Sequence, residues 1–384
     1  MTDSQTLAIR RLTLTDFRNY SSLRLATDAQ LVALSGANGA GKTNVLEAIS
    51  LLSPGRGLRG VTFDELARQG GSGGWAIAAE IGAEHGPVSL GTAWSGQPDA
   101  GEGGSRQVVV DGELQRGPGA LGDHLRMLWL TPAQDRLFAG PGSDRRRFLD
   151  RMVTAFDPEH AARILVFEKV MRERNLLLED TRPDPAWLSS LEAHMAEAAV
   201  AISAARLVGL EALQTHIGEA RETSSFPWAE VAVEGEIEAL VAAKPAVQVE
   251  DEYRRILRDS RGLDRAAGRT LRGPHRSDLE VVHGPKRMAA GQCSTGEQKA
   301  LLIGLVLAQA RAVKAGAGVP PILLLDEVAA HLDRARRKSL LEALAALGSQ
   351  SWMTGTDAQL FEAMVETGAI FHVEDSRISE VMED

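Results

Sequence analysis

Eight residues near the N-terminus have the types and the spacing of a phosphate-binding loop. They are Gly36-Ala37-Asn38-Gly39-Ala40-Gly41-Lys42-Thr43, and they match G-x-x-x-x-G-K-[ST] at every fixed position. In such a loop the glycines bring the backbone close to the phosphates, so that N–H groups and the positive end of the following helix bind the anion. Lys42 is expected to reach the β- and γ-phosphates, and the Thr43 hydroxyl to ligate Mg²⁺. All eight residues are therefore predicted to bind a nucleotide.

The segments on either side of this loop fit the same interpretation. Residues 31–34 form an apolar run that predicts a short buried strand, and residues 44–49 open a helix. Strand, loop and helix is the arrangement that the chemistry requires, and it argues against a chance glycine-rich turn.

Two adjacent carboxylates follow an apolar run near the C-terminus. Residues 321–325 read as a buried parallel strand that ends at Asp326 and Glu327, which is the Walker B pattern. Asp326 is expected to hold Mg²⁺, directly or through water, and Glu327 to orient and partly deprotonate an attacking water. The predicted catalytic residues are therefore Glu327 and Lys42, and the predicted metal ligands are Thr43 and Asp326.

A third motif precedes a long apolar helix, which is predicted over residues 300–313. It reads Ser294-Thr295-Gly296-Glu297-Gln298-Lys299. A helix N-terminus binds anions through its free N–H groups and its dipole, so Ser294 and Gly296 are predicted to contact the nucleotide. By itself the motif is weak, because Ser-x-Gly before a helix is also an ordinary cap. A further strand, over residues 351–354, is expected to end near the γ-phosphate.

Composition limits the class of protein. The chain has 384 residues, is 44% hydrophobic and carries a formal net charge of −10. Any nucleic-acid binding must therefore come from local basic patches. Its single cysteine, Cys293, excludes an internal disulfide and a multi-cysteine metal site. We expect no stretch long and apolar enough to cross a bilayer and no signal peptide, and hence a soluble, cytoplasmic protein without a membrane partner.

Hydrophobic patterning predicts a two-lobed α/β fold. Strands are predicted over residues 9–17, 22–26, 75–81, 88–94, 106–111, 127–130, 229–233 and 280–282, and the three over 75–111 suit an antiparallel meander. A helix is expected to begin with Ser143 as its N-cap, and residues 158–221 to form an αα-hairpin broken at residues 181–185. The predicted divisions are 1–149 and 263–384 for the nucleotide core and 150–262 for a helical insertion.

Several cations could contact phosphate or DNA, and each has a plainer interpretation as a solvated charge or a loop residue. They are Arg18 in a turn, Arg56 and Arg59 in a glycine-rich loop expected to be mobile, Arg147 and Arg151 on one helix face, and His275 and Arg276 in a polar turn. Gln134 stands after a predicted strand, where ATP-binding-cassette proteins place a glutamine that senses Mg²⁺ and the attacking water; otherwise it is a loop residue.

Taken in order, these motifs are those of an ATP-binding cassette, and the chain resembles the RecF family of bacterial recombination and repair ATPases over nearly its whole length. The resemblance is carried by Leu14-Thr15-Asp16-Phe17-Arg18-Asn19-Tyr20, by residues 39–49, by Asp144-Arg145-Arg146-Arg147-Phe148-Leu149-Asp150 and by Gly273-Pro274-His275-Arg276. It departs from the family at Ala133, at residues 140–142, at Glu327, where many relatives have a second aspartate, and at residues 329–331.

The resemblance implies an ATPase head of the ABC/SMC type, with a mixed sheet, an antiparallel β subdomain and a helical lobe. It implies ATP and Mg²⁺ as cofactors, weak DNA-stimulated hydrolysis that resets the protein, and an ATP-dependent homodimer in which Ser294 and Gly296 act in trans. It further implies binding to single-strand/double-strand DNA junctions at gaps, with RecO and RecR, to load RecA and support the SOS response.

Two other classes of protein share parts of this pattern. A transport ATPase subunit keeps the phosphate-binding loop and the Ser-x-Gly motif closer together, so the long insertion argues against it. A structural SMC-like chromosome protein would sustain heptads over many more turns than residues 158–221 provide.

Overall fold

The computed structural model describes residues 7–82, 86–96, 105–329, 332–364 and 368–381. The described chain divides into two compact units. Unit 1 consists of Met1–Asp135 and Leu302–Asp384, and unit 2 of Arg136–Leu301. The limits predicted near Asp150 and Gly262 fall inside two helices of unit 2.

The strands are β1 Ala8–Phe17, β2 Tyr20–Ala26, β3 Leu31–Ser35, β4 Trp75–Gly82, β5 Val88–Trp94, β6 Arg106–Val110, β7 Glu113–Leu114, β8 Met127–Leu130, β9 Ala229–Glu234, β10 Asp278–His283, β11 Met288–Ala289, β12 Ile322–Leu325, β13 Ser351–Gly355, β14 Gly368–Glu374 and β15 Arg377–Glu380. The α-helices are α1 Lys42–Ser50, α2 Gly142–Phe156, α3 Glu159–Glu179, α4 Pro185–Ala220, α5 Glu236–Ala243, α6 Ala246–Ala267, α7 Thr295–Ala317 and α8 Arg334–Leu347.

A mixed sheet in unit 1 positions the motifs that are predicted to bind a nucleotide. Its strand order is β15-β14-β3-β13-β12-β8, and all neighbours are parallel except β14 and β15. Strands β3, β12 and β13 are buried at every residue, as expected of parallel strands covered on both faces. Because β13 lies between β3 and β12, the carboxyl ends of the three strands meet at one edge, where α/β sheets bind ligands.

The second sheet of unit 1 is antiparallel, with the order β2-β1-β4-β5-β6-β7. The meander predicted over residues 75–111 is confirmed, and it continues the hairpin of β1 and β2. Alternate residues of β1, such as Leu12 and Leu14, are buried in one cluster with Val45 and Ile49 of α1 and Trp352 of β13. This shared apolar core fixes α1 against the mixed sheet.

Unit 2 is mainly helical. The predicted αα-hairpin is confirmed: α3 ends at Glu179, and α4 begins at Pro185 with Asp184 as its N-cap. The Asp184 side chain accepts hydrogen bonds from the amides of Ala186 and Trp187. A three-stranded sheet, β11-β10-β9, completes the unit.

The predicted N-cap of α2 is wrong by two residues. The helix begins at Gly142, Pro141 occupies the N-cap position, and no side chain caps the helix. The Ser143 hydroxyl instead lies 3.3 Å from Oδ1 of Asp144. Proline, which lacks an N–H and has its φ fixed near −65°, suits the entrance to a helix, so the serine is displaced into the first turn.

Helix α7 corrects the membrane prediction. By length and composition it could cross a bilayer, since its mean hydropathy is 1.5 over an 18-residue window, but 67% of that window is buried inside the structure. It also begins five residues earlier than predicted, within the Ser-x-Gly motif. An apolar helix buried in this way is typical of the core of a soluble protein.

Candidate nucleotide site

The backbone of the phosphate-binding loop requires two of its glycines. Gly36 has φ +147°, and a Cβ there would lie 2.2 Å from the carbonyl oxygen of Val373. Gly41, the N-cap of α1, has φ +113°, and a Cβ there would lie 2.4 Å from Nδ2 of Asn19. Because L side chains rarely adopt these conformations, the loop takes this course only with glycine at both positions.

Lys42 is held at the base of the loop. Its side chain is buried, with the residue 4% exposed, and Nζ donates to the carbonyl oxygens of Gly36 at 2.7 Å and Ala37 at 2.8 Å. Burial lowers the pKa of Lys42, while the nearby carboxylates of Glu327 and Asp326 raise it. An ammonium group has three N–H donors, so one is available for a further acceptor.

Asp326, which follows β12, contacts both helix α1 and strand β13. Its Oδ1 accepts hydrogen bonds from Thr43 Oγ1 and Thr354 Oγ1, each at 2.8 Å, and the residue is 5% exposed. The predicted metal ligands, Thr43 and Asp326, are therefore in direct contact. A hydroxyl and a carboxylate, completed by phosphate and water oxygens, suit Mg²⁺. Within the described residues, no group of three or more His, Cys, Asp or Glu could hold a metal. The residues present fit a Mg²⁺ ion that a nucleotide shares.

Glu327 has an unusual backbone. Its φ is +53°, in the left-handed region that a non-glycine residue rarely occupies, and its amide donates to Thr354 Oγ1 at 2.8 Å. The hydroxyl of Thr354 thus accepts from one acidic residue and donates to the other. Strained residues of this kind concentrate at functional sites, so the conformation supports the predicted role of Glu327. The strand predicted over residues 351–354 was expected to end near the γ-phosphate, but its pattern gave no sign that Thr354 contacts both acids.

A second group of contacts surrounds α1. Glu47 is 1% exposed and accepts from Arg18 Nε and Nη2, both at 2.8 Å, and from Arg59 Nη1 at 2.6 Å. Arg18 also donates to the carbonyl of Glu65, and Arg59 to Asn44 Oδ1. The two arginines, predicted as phosphate contacts or solvated charges, are ion-paired to a glutamate that sequence analysis did not single out.

The loop that carries Arg56 and Arg59 is anchored by hydrogen bonds. Arg106 donates to the carbonyl of Gly55 at 2.6 Å, and the Leu58 amide donates to Ser50 Oγ at 2.7 Å. Arg56 is exposed. The sequence predicted a mobile loop, since the long-range partner Arg106 could not be identified from local composition.

Gln134 lies in unit 1 directly after β8. Its Oε1 accepts from the Thr131 amide at 2.9 Å and so closes a capping box. Its Nε2 is buried and has no hydrogen-bond partner among the described residues. The residue therefore has a local structural role, whichever interpretation of its function holds.

The Ser-x-Gly motif lies in unit 2, at the start of α7 as predicted. The Ser294 amide donates to Glu297 Oε2 at 3.0 Å, and the Ser294 carbonyl accepts from the Gln298 amide at 2.9 Å. Gly296 is exposed, and a Cβ there would meet no heavy atom within 4 Å. Lys286 and the Ser294 amide lower the pKa of Glu297 to about 2.

The unit 2 cations that were predicted as possible phosphate or DNA contacts differ from one another in their surroundings. Arg147 is exposed and paired with Asp144, whereas burial lowers the pKa of Arg151 to about 10, and its guanidinium lies 5.5 Å from the centre of the Phe148 ring. His275 packs on Phe167 with ring centres 5.7 Å apart. Arg276 is exposed. The Ala330 and His331 positions of the departing segment lie outside the described residues.

The fold and the site define an ATPase head of the SMC type. The structure aligns with a solved structure of the recombination mediator protein RecF-ATP in the RecFOR pathway at a TM-score of 0.86 and 23% identity, over 100% of both chains. It also aligns with a crystal structure of the Smc head domain of Pyrococcus furiosus at a TM-score of 0.54 and 16% identity, over 98% of this chain and 96% of that one. The predicted fold class is confirmed.

Sequence comparison is more specific. The family model of the RecF/RecN/SMC N terminal domain matches residues 8–379. DNA replication and repair protein RecF of Mesorhizobium japonicum is 51% identical over 93% of both chains, and that of Brucella suis is 49% identical over 96% of this chain and 94% of the relative. The chain belongs to the RecF family of DNA replication and repair proteins, which confirms the resemblance and excludes the transport ATPase alternative.

Proposed function

We propose that the chain binds ATP with Mg²⁺ at the site of unit 1. The observation that carries this proposal is the contact of Thr43 with Asp326, formed beside the buried ammonium of Lys42. The residues of the site are Gly36, Ala37, Asn38, Gly39, Ala40, Gly41, Lys42 and Thr43 for the phosphates, with Thr43 and Asp326 for the ion. ATP supplies the transferable phosphoryl group, and Mg²⁺ neutralises its charge when bound.

In this proposal each residue of the chain has one task. The third N–H of Lys42 would donate to the terminal phosphates of ATP. The backbone amides of the loop would bind the remaining phosphate oxygens. Glu327 orients a water molecule and accepts its proton, while Thr354 fixes the Glu327 backbone through the hydrogen bond to its amide. Hydrolysis is expected to be weak and to be stimulated by DNA.

The Ser-x-Gly motif is proposed to act between two copies of the chain. Ser294 and Gly296 lie exposed at a helix N-terminus, where amide groups can bind a phosphate. Each copy would then present this motif to ATP held by the other, and ATP would drive dimerisation. Hydrolysis would separate the copies.

The ATP-bound dimer is proposed to bind DNA at the single-strand/double-strand junctions of gaps, in the cytoplasm. RecO and RecR are the expected protein partners. The expected outcomes are the loading of RecA and support of the SOS response. Relatives named as DNA replication and repair proteins, at about half identity over nearly the full chain, support this proposal.

The test is binding to gapped and to uniform duplex DNA at one fixed salt concentration, with and without ATP. Wild type is compared with Lys42→Ala, Glu327→Gln and the control Lys314→Ala, whose Nζ also donates to a carbonyl, that of Leu347. We expect ATP to strengthen binding to gapped DNA by wild type, Glu327→Gln and Lys314→Ala but not by Lys42→Ala. Salt is fixed because phosphate contacts make affinity steeply salt-dependent.

Light scattering on the same samples reports dimerisation. We expect Glu327→Gln to remain dimeric in ATP for longer than wild type, because the general base is absent. If wild type binds ATP while its DNA affinity and its mass stay constant, the proposed ATP-gated DNA binding is wrong, although the nucleotide site itself would stand.

A further inference from the structure

Two arginines of unit 2 lie close together, and among the described residues neither makes a hydrogen bond to a carboxylate. Arg146 is on α2, and Arg276 is in the turn Pro274–Arg276 that precedes β10. Arg146 Nη1 donates to the main-chain oxygen of Ser277 at 2.8 Å, and Ser277 directly follows Arg276. Arg146 is half-buried and Arg276 is exposed. Together they form a small region that is called the Arg146–Arg276 site below.

The carboxylates around this site are already paired with other arginines. Asp278 accepts from Nε and Nη2 of Arg145, and Asp150 accepts from Nε and Nη2 of Arg206. Two further carboxylates of the region are likewise bonded: Glu238 to Arg206 and Ser277, and Asp144 to Arg147. Among the described residues, none of these four carboxylates makes a hydrogen bond or ion pair with Arg146 or Arg276.

Burial lowers the pKa of Arg146, as do the positive charges of Arg206 and Arg276, while the carboxylates of Asp150 and Asp278 partly oppose that shift. Burial also lowers the pKa of His275, and Arg146 and Arg276 add to that effect. Asp150 and Asp278 thus act on Arg146 without a direct hydrogen bond, and a phosphate that reached its guanidinium would add charge-assisted hydrogen bonds.

We propose that Arg146 and Arg276 form a phosphate-binding site for the DNA backbone. A guanidinium group fits a phosphate with two parallel hydrogen bonds, and an exposed arginine beside a half-buried one can hold two oxygens of one phosphate or adjacent phosphates. Since the chain carries a net charge of −10, its attraction for DNA has to come from local sites such as this one. The inference rests on the proposed DNA binding and names residues that carry it.

The test measures affinity for gapped duplex DNA with ATP at a series of salt concentrations. The variants are Arg276→Ala, Arg276→Lys and the double variant Arg146→Ala/Arg276→Ala. Arg258→Ala is the control, because it removes the same charge from an exposed position on α6. Thermal unfolding checks that each variant folds. If the double variant fails to fold, the test still rests on Arg276→Ala, which removes only an exposed side chain.

We expect the slope of log affinity against log salt to fall by about 1 in Arg276→Ala and about 2 in the double variant. Affinity should fall roughly threefold to tenfold for Arg276→Ala, while Arg276→Lys keeps the wild-type slope. ATP binding should not change in any variant, since the site lies in unit 2.

The inference is overturned if Arg276→Ala keeps the wild-type slope, or if Arg258→Ala lowers it equally. Binding of poly-glutamate, a probe for acidic protein surfaces, is measured with the same variants. If Arg276→Ala loses that binding while its salt slope for DNA is unchanged, the site binds an acidic protein and the inference is also overturned. These results differ from a failure of the proposed function, in which wild type itself shows no ATP-dependent DNA binding.

Discussion

The two units bury charged side chains in different ways. In unit 2, Arg174 is 0% exposed and donates to Glu192, Asp264, Thr270 Oγ1 and the Leu257 carbonyl. In unit 1, Lys42 is nearly as buried but donates to carbonyls of its own loop; burial lowers its pKa, and the nearby carboxylates of Glu327 and Asp326 oppose that shift only in part. The first charge is neutralised within the chain, whereas the second retains bonding capacity for a ligand.

This difference separates charges that hold the fold from charges that serve the site. A buried ion whose donors are all used fixes the elements around it, and removing it leaves its partners uncompensated. A buried ion with perturbed pKa and unused donors lies instead where catalysis and binding are found. The comparison predicts opposite consequences for stability and for nucleotide binding.

The largest effect is expected for Arg174→Ala. The change leaves the buried Asp264 without its cation, while Glu192 keeps its pair with Arg261, and breaking a buried pair in this way costs about 3–5 kcal/mol of unfolding free energy. Denaturant unfolding measures the cost. The matched control is Arg254→Ala, which breaks an exposed pair with Asp251 and should cost no more than about 1 kcal/mol. If both variants lose the same unfolding free energy, the distinction between buried and exposed ion pairs is wrong.

Lys42→Met is expected to have the opposite effect, with little change in stability and a large loss of ATP affinity. Unfolding free energy should stay within about 1 kcal/mol of wild type, because methionine fills similar space and removes a charge that burial disfavours. ATP affinity should fall about 100-fold, or roughly 2.7 kcal/mol. Calorimetric titration and denaturant unfolding give the two values, with Lys314→Met as the control. A stability loss as large as that of Arg174→Ala would show that Lys42 is a structural charge.

Glu327→Gly tests whether the left-handed backbone conformation of Glu327 costs stability. Since Glu327 has φ +53°, glycine relieves a conformation that costs a non-glycine residue about 1 kcal/mol or more. We expect stability equal to wild type or up to about 1 kcal/mol higher, together with lost hydrolysis. Glu327→Gln is the control, which removes the base but keeps the strain. A less stable Glu327→Gly would mean that side-chain contacts of Glu327 outweigh its backbone strain.

The same distinction explains what could be predicted from the sequence. The loop from Gly36 to Thr43 and the pair Asp326 and Glu327 were identified because their chemistry depends on adjacent residues. The roles of Thr354 and Glu47 depend on partners far along the chain, such as the contact of Thr354 with Asp326, so no local pattern could reveal them. Strands β3 and β12 were predicted from their continuous apolar runs.

Errors arose where context outweighs local preference. Ser143 is a good capping residue, but the neighbouring Pro141 already fixes the helix entrance. Helix α7 has the composition of a membrane span because it lies in the core, and composition alone cannot separate these two environments. The contacts of Arg18 and Arg59 could not be predicted, since their shared partner Glu47 looked like an ordinary residue of an amphipathic helix.

The smallest effect is expected from the surface pair beside Ser294. The folded pKa of Glu297, about 2, lies below the ordinary value of 4.5, so its pairing with Lys286 and the Ser294 amide favours the folded state above pH 4.5. That contribution should fade as the pH drops from 4.5 towards 2. Glu297→Gln should therefore be slightly less stable than wild type at pH 6, and the two should converge near pH 2. A difference that does not change with pH would show that the carboxylate charge has no part in this contact.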